Sequence, residues 1–383
     1  MNTAIAQAPR TLIADDQPDV LAALRLLLKG AGYQTEAADS PKAVLEAVKQ
    51  QQFDLVLMDL NYARDTTSGK EGLDLISSIQ ALDHDLPIIV MTAWATVDLA
   101  VESMRLGVRD FVQKPWENSR LLKKLRTQID AGRARRLQQH REAEAQFELE
   151  EAREIQRGLM PRRMPHLQGF SLASAWQPAH AVSGDYLGAF KLSDSHAALC
   201  VADVAGKGFP AALLMSNMQA ALKSLVSEKI EPSELCEKLN RLMCGNTPLR
   251  KFVSCFYSEL DITRRMLTFT NAGHNPLFLI RRNGECLRLD EGGRVIGAFT
   301  DSHFTQREIQ LYEGDKLLLF TDGVTEARND AGEEFGEARL EQCLRSYAGR
   351  NAAELRTIVL HEVTRFCDGN FDDDAALMVV IAE

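Results

Sequence analysis

The sequence predicts a multidomain chain: an N-terminal α/β doubly wound five-stranded parallel sheet, a helical linker, and a C-terminal α+β β-sandwich flanked by helices. Three observations carry this prediction. Over the first third, short apolar runs alternate with amphipathic helical segments, the pattern of a parallel sheet covered on both faces. A long proline-free, charge-rich stretch follows. The remainder is dominated by strand-like runs whose ends carry Asp and Gly. At 383 residues the chain is long enough for two or three domains.

The first strand is "TLIA", residues 11–14, closed by Asp15 and Asp16. The amphipathic segment "PDVLAALRLLLKGAGY" stops at glycine, and "QTEAAD" and the helical "SPKAVLEAVKQQ" follow. A second apolar run, "FDLVLMDL", ends near Asp59. Helix "GLDLISSIQAL" leads to strand "LPIIVMTA", helix "TVDLAVESMRLG" to strand "VRDFVQK", and "ENSRLLKKLRTQ" is helical again. Ligands of such sheets sit at the carboxyl ends of the strands. Asp15, Asp16, Asp59, Thr92 and Lys114 all fall there, with Pro115 after the lysine. Three carboxylates on one edge repel, so a divalent cation is their natural partner. A lysine and a hydroxyl beside them suit a phosphoryl group. A lone Asp after a strand reads equally well as a helix cap, but the whole set in register does not.

These residues resemble the receiver domain of two-component response regulators over residues 10–127. The resemblance implies Asp59 as phosphoacceptor, and Mg2+ held by Asp15, Asp16, Asp59 and the backbone carbonyl of Asn61. It implies Thr92, Phe111 and Lys114 as switch residues, a cis peptide at Lys114-Pro115, and a sensor histidine kinase as phosphodonor. The segment "NYARDTTSGKEGL" after Asp59 is longer than the family's usual loop.

Residues 128–164 read as the linker. From 117 to 159 there are two glycines (Gly132 and Gly158) and no proline, a basic half ("RARRLQQHR") and an acidic half ("EAEAQFELEEAREI"), which predicts one long helix stopped at Met160-Pro161. Apolar spacing at Leu122, Leu125 and Ile129, and again at Phe147, Leu149, Ala152, Ile155 and Leu159, is interrupted by Gly132 and Arg136. A solvated helix and a parallel dimeric coiled coil both fit such a broken seam.

Residues 165–383 hold strand patterns from "SLASAWQPA" to "DKLLLFTDGV" and "AALMVV", and helical ones from "FPAALLMSNMQAALKSLVSE" to "NAAELRTIVLHEVTRFC". Asp185 sits in "SGDY", Asp203 in "ADVAGKG", Asp322 in "TDGVTE" and Asp373 in "DDDAAL", at strand ends or beside glycine. An all-oxygen acidic set suits Mg2+ or Mn2+ rather than zinc. Two such ions about 4 Å apart share a water and direct it at phosphorus. Turns favour Asp and Gly in any case, which accounts for one such site but not four. "VADVAGKGFPAAL" is not a P-loop, because Gly208-Phe209 follow Lys207 where a hydroxyl residue is required.

The motifs "SGDY", "ADVAGKG", "NAGHNP", "TDGVTE" and "DDDAAL" resemble the metal-dependent (PPM) serine/threonine phosphatases of the sporulation and stress-sigma branch. The resemblance implies Asp203 bridging two ions, Asp185 and the Val204 carbonyl completing one, and Asp322 and Asp373 holding the other. Gly206 and Gly208 would turn the loop into the next helix, with Lys207 peripheral. Ala376 stands where many relatives carry Thr, and "SGD" replaces the commoner Gly-Gly-Asp. His274 fits either a general acid or a loop-ordering residue.

The formal net charge of −10 argues against nucleic acid as the main partner. The seven cysteines form no C-x-x-C pair and are odd in number, which argues against a zinc site or disulfide framework and for a reducing compartment. No apolar signal core and no apolar run of ~18 residues occurs, so a cytoplasmic protein without membrane contact is expected. The expected whole is a response regulator, a homodimer joined along its linker, whose output hydrolyses phosphoserine or phosphothreonine on a STAS-type anti-sigma-factor antagonist. The alternative is a non-catalytic adaptor with a degenerate phosphatase domain, against which the full set of acidic residues speaks.

Overall fold

The structure is a computed structural model that describes residues 8–62, 70–93, 97–161, 163–245, 251–347 and 349–383. The chain divides into two compact units, Met1–Ala145 and Gln146–Glu383.

The first unit alternates β1 (Arg10–Ala14), α1 (Pro18–Gly30), β2 (Gln34–Ala38), α2 (Pro41–Gln50), β3 (Leu55–Asp59), α3 (Lys70–Leu82), β4 (Ile88–Thr92), α4 (Val97–Arg105) and β5 (Val108–Gln113) before the long helix α5 (Asn118–Leu159). The strands pair in parallel in the order β2-β1-β3-β4-β5. Every residue of β3 and β4 is buried, which is why their sequences run apolar without alternation. Successive side chains still go to opposite faces. Val56, Met58 and Val90 pack with α2 and α3, while Leu55, Leu57, Ile89 and Met91 pack with α1 and the start of α5.

Helix α5 is a single helix of 42 residues, as its sequence predicts. Its buried stripe is Leu121, Leu125 and Ile129 at spacing four, with Leu122 only half-buried. The helix stays on the first unit beyond residue 127. A Cβ at Gly132 would lie 2.8 Å from Pro87 Cγ, so the helix axis comes close there. Arg133 forks onto Asp54 (Nε–Oδ1 2.7 Å, Nη2–Oδ2 2.9 Å), and Arg136 Nη2 donates to Asp83 at 2.7 Å. Farther along, Phe147 and Ile155 are 66% and 71% exposed, so neither is held by its own chain.

The second unit contains β6 (Phe170–Gln177), β7 (Tyr186–Lys191), β8 (His196–Val204), α6 (Phe209–Leu225), α7 (Pro232–Cys244), β9 (Val253–Asp261), β10 (Met266–Ala272), β11 (Leu277–Ile280), β12 (Cys286–Leu289), β13 (Gly292–Gly293), β14 (Arg307–Gln310), β15 (Lys316–Phe320), the one-turn α8 (Asp322–Thr325), α9 (Gly336–Ser346), α10 (Ala352–Phe366) and β16 (Ala375–Ala382). One sheet runs β13-β10-β9-β8-β7 with β14 beside β10; the other runs β12-β11-β15-β16-β6. Strand β8 shows how the layers form. Ala197, Leu199 and Val201 face the core between the sheets, and Ala198, Cys200, Ala202 and Val204 face α6 and α7. The same alternation puts Asp203 on the inter-sheet side, at the end of the strand.

Two features depart from the sequence reading. "FTDGV" is not one strand: β15 ends at Phe320 and α8 begins at Asp322. The polar segments β12 and β14 were not anticipated, because "CLRL" and "REIQ" carry little apolar signal. Among the described residues, no helix is long and apolar enough to cross a membrane.

Candidate functional site

The carboxyl end of the parallel sheet gathers the first acidic set. Asp15 follows β1, and its Oδ1 accepts the Gln17 N–H at 3.0 Å. Lys114, just past β5, donates from Nζ to Asp15 Oδ2 at 2.6 Å and Asp59 Oδ2 at 2.7 Å. Asp59 Oδ1 accepts the Leu60 N–H at 2.7 Å. Carboxylate oxygens of Asp15, Asp16 and Asp59 lie within 4.8 Å of one another. Burial pushes the Asp15 carboxyl above its usual range, opposed by Lys114. Burial disfavours the Lys114 ammonium, yet its hydrogen bonds to Asp15 and Asp59 prevail and raise its pKa. One lysine leaves this trio short of positive charge, and three hard oxygen donors at this separation fit Mg2+. Thr92 is buried at the end of β4, and Phe111 is half-buried on β5. The Lys114-Pro115 peptide is cis. Asn61 stands two residues after Asp59, with its N–H 3.4 Å from Asp59 Oδ1, and the longer loop beyond it lies mostly outside the described residues.

The second set assembles at one end of the sandwich. Asp203 is next to last in β8, Asp185 immediately precedes β7, Asp322 opens α8, and Asp373 and Asp374 precede β16. Thr321 joins three of these segments: its hydroxyl donates to Asp185 Oδ2 at 2.7 Å and accepts the Ala376 N–H at 2.9 Å. Asp374 is 5% exposed, and its two carboxylate oxygens accept the N–H groups of Ala179 (2.9 Å) and Gly184 (3.1 Å). Gly323 allows the close approach between α8 and the acidic run, since a Cβ there would lie 2.0 Å from the Asp374 carbonyl oxygen. Gly206 and Gly208 both have positive φ, 101° and 72°, and turn the chain from β8 into α6.

The electrostatics are those of crowded carboxylates. Burial, then repulsion from Asp322, Asp373 and Asp374, pushes Asp203 up to about 7. Asp185 is raised well above the carboxylate range by burial and then by Asp203, and Asp322 is raised by burial and then by Asp373. Among the described residues the one cation paired with this set is Lys207. The sequence reading set it aside as peripheral, but its Nζ lies 3.0 Å from Asp373 Oδ2 and donates to the Asp372 carbonyl at 2.7 Å. An oxygen-only, partly buried set of this kind has the donor chemistry of a divalent-cation site, although among the described residues only Asp15, Asp16 and Asp59 bring three carboxylate oxygens within 4.8 Å of one another.

His274 is 6% exposed and fully engaged. The Phe320 carbonyl can only accept, so Nε2 carries the proton that it receives at 3.0 Å; Nδ1 then accepts from Ser254 Oγ at 2.8 Å. Burial lowers its pKa to about 4, partly offset by the Phe320 hydrogen bond. A neutral imidazole with both nitrogens used is a brace for the chain entering Thr321 and Asp322, not an acid poised at neutral pH. Thr321, Asp374, Ser183 and Gln156 were not singled out from sequence. Only Asp374 carried a signal there, in the acidic run.

The comparisons agree with this division. A family model described as stage II sporulation protein E (SpoIIE) matches residues 193–382, and one described as response regulator receiver domain matches residues 11–126. Phosphoserine phosphatase RsbU of Bacillus subtilis is 31% identical over 239 residues, covering 62% of this chain and 70% of RsbU. Protein IcfG of Synechocystis sp. is 29% identical over 263 residues, covering 61% of this chain and 41% of IcfG, so the chain spans less than half of that relative. The solved SiaA-PP2C domain of Pseudomonas aeruginosa superposes with a TM-score of 0.57 at 24% identity, covering 63% of this chain and 98% of that domain, a likeness of fold.

Proposed function

Because the chain belongs to the SpoIIE phosphatase family that includes RsbU, with a receiver domain ahead of the phosphatase domain, we propose that it is a phosphorylation-controlled response regulator. Its output is metal-dependent hydrolysis of phosphoserine or phosphothreonine on a protein, a STAS-type anti-sigma-factor antagonist. The observation that carries this reading is the gathering of Asp185, Asp203, Asp322 and Asp373 from separate strand ends with no His or Cys donor among them, and with the carboxyls of Asp185, Asp203 and Asp322 raised by burial and by their acidic neighbours. Asp203 would be the carboxylate shared by two Mn2+ or Mg2+ ions, with Asp185 and the Val204 carbonyl serving one and Asp322 and Asp373 the other. Such ions supply the charge that these carboxylates lack and activate water toward phosphorus. The chain's own part is orientation. Thr321 fixes the rotamer of Asp185, Asp374 ties the Gly184 backbone to the acidic run, and His274 steadies the approach to Asp322.

In the receiver, a sensor histidine kinase supplies the phosphoryl group to Asp59. Asp15, Asp16, Asp59 and the Asn61 carbonyl would hold Mg2+, Lys114 would neutralise the phosphoryl group, and Thr92 and Phe111 would report it. The exposed Leu137, Phe147 and Ile155 on α5 support a homodimer joined along this helix. The seven free cysteines suit the cytoplasm. The test is hydrolysis of a phosphorylated antagonist protein with Mn2+, with and without beryllofluoride. A rate that responds to both supports the reading. No hydrolysis under any cation would leave only a non-catalytic adaptor.

A further inference from the structure

One side chain links the end of α5 to the loop that carries Asp185. Gln156 is 3% exposed on a helix whose neighbouring residues are largely solvated. Both ends of its amide are spent on a single residue: Nε2 donates to the Ser183 carbonyl at 2.7 Å, and Oε1 accepts the Ser183 N–H at 2.8 Å. Ser183 passes the constraint on. Its hydroxyl accepts the Asp185 N–H at 3.0 Å and the Trp176 Nε1–H at 3.3 Å. Between the two, Gly184 is wedged against the facing loop, where a Cβ would lie 3.1 Å from the Val204 carbonyl oxygen and 3.4 Å from Asp203 Oδ1. Just beyond Gln156, Met160 packs in the same core as Met215 and Met218 of α6.

We propose that Gln156 is a positioning residue for Asp185, setting the Ser183–Asp185 loop against Asp203 and Val204 so that cation affinity depends on how the end of α5 docks. This rests on Asp185 being a cation ligand. The physical case is twofold. Without the amide, the Ser183 N–H and C=O are left buried and unpaired, so the loop must move to reach water. A ligand set tolerates displacement of only about half an ångström, and partners one layer behind metal ligands typically change affinity by about 10–100-fold.

The experiment uses the full-length protein. Mn2+ binding is titrated by electron paramagnetic resonance, and hydrolysis of para-nitrophenyl phosphate is followed across the same Mn2+ range. Gln156→Leu is expected to weaken one of the two Mn2+ sites of the second unit roughly tenfold or more while the other, and the receiver site, hold, with half-maximal hydrolysis moving to higher Mn2+ in parallel. Ser183→Ala keeps the backbone pair but removes the acceptor of the Asp185 N–H. It should weaken the same site, and it carries the test if the leucine variant fails to fold. In an Asp185→Asn background, Gln156→Leu should add nothing, because both act on one ligand. Lower melting temperature with every Mn2+ affinity unchanged, in either variant, would reduce Gln156 to packing and overturn the proposal. Unchanged Mn2+ binding in Asp185→Asn alone would instead overturn the ligand assignment beneath it.

Discussion

A carboxyl held near pH 7 by burial and by its acidic neighbours is a cost that the fold carries for function, and Asp203 is such a group. Its folded pKa lies above the unfolded value of about 4, so between these two the native state binds a proton that the unfolded state has released. Stability therefore falls as pH rises through that window. The metal-free protein is expected to melt at lower temperature at about pH 8 than at about pH 5, and Asp203→Asn should flatten the dependence. Thermal melts of both proteins check this; parallel pH profiles would refute it. The same variant should lose at least about a hundredfold in Mn2+-dependent hydrolysis, since even partners behind a ligand cost up to that much. In the first unit, Asp59 faces Lys114 at 2.7 Å. Acetyl phosphate with Mg2+ should add one phosphoryl group to the wild type and none to Asp59→Asn, read by intact-protein mass. Equal labelling of the two would remove Asp59 as acceptor. Neither Thr321 nor Gln156 was legible beforehand, because a hydroxyl or an amide has no periodic signature and acquires a role only when a distant segment meets it.

At the scale of the element, α5 is best understood by what pins it. The first unit holds it by an apolar stripe through Ile129 and then by ion pairs at Arg133 and Arg136. For Asp54, burial alone would raise the pKa, but the Arg133 hydrogen bonds outweigh it and the net shift is downward. A depressed carboxyl stabilises the fold above its unfolded pKa, and that contribution is lost as pH falls through the folded value. Asp54→Asn should cost about 1 kcal/mol in urea unfolding at neutral pH, with the gap from wild type closing in acid below about pH 4. A pH-independent gap would assign the loss to packing instead. The length of the helix was legible from composition, and its end from Pro161. Its buried stripe was read one residue off at Leu122, since adjacent leucines share a periodic signal and only the sheet selects Leu121.

For the whole molecule, α5 is the chain between the two proposed sites, and its middle is solvated. A two-residue insertion after Gln139 turns everything downstream by roughly 200° at about 3.6 residues per turn. The full-length insertion variant should keep basal Mn2+-dependent hydrolysis while losing its response to beryllofluoride. The coupling lost would be on the order of 1–3 kcal/mol. An undiminished response would make the helix a passive tether.

The sequence by itself determined the order of elements in the first unit, the apolar strands and the longer helices of the second, the single connecting helix, and the motif segments that supply the acidic residues. Each of these depends on local periodicity, on proline and glycine, or on a few adjacent residues. Tertiary structure alone decided the neutral state of His274, the break at Thr321, the contact of Lys207 with Asp373, and the clamp of Gln156 on Ser183. Those features depend on desolvation and on partners brought from segments far apart in the chain. The distance from Gln156 to Ser183, or from Thr321 to Asp185, is written in no local pattern and exists only once the sheets have closed.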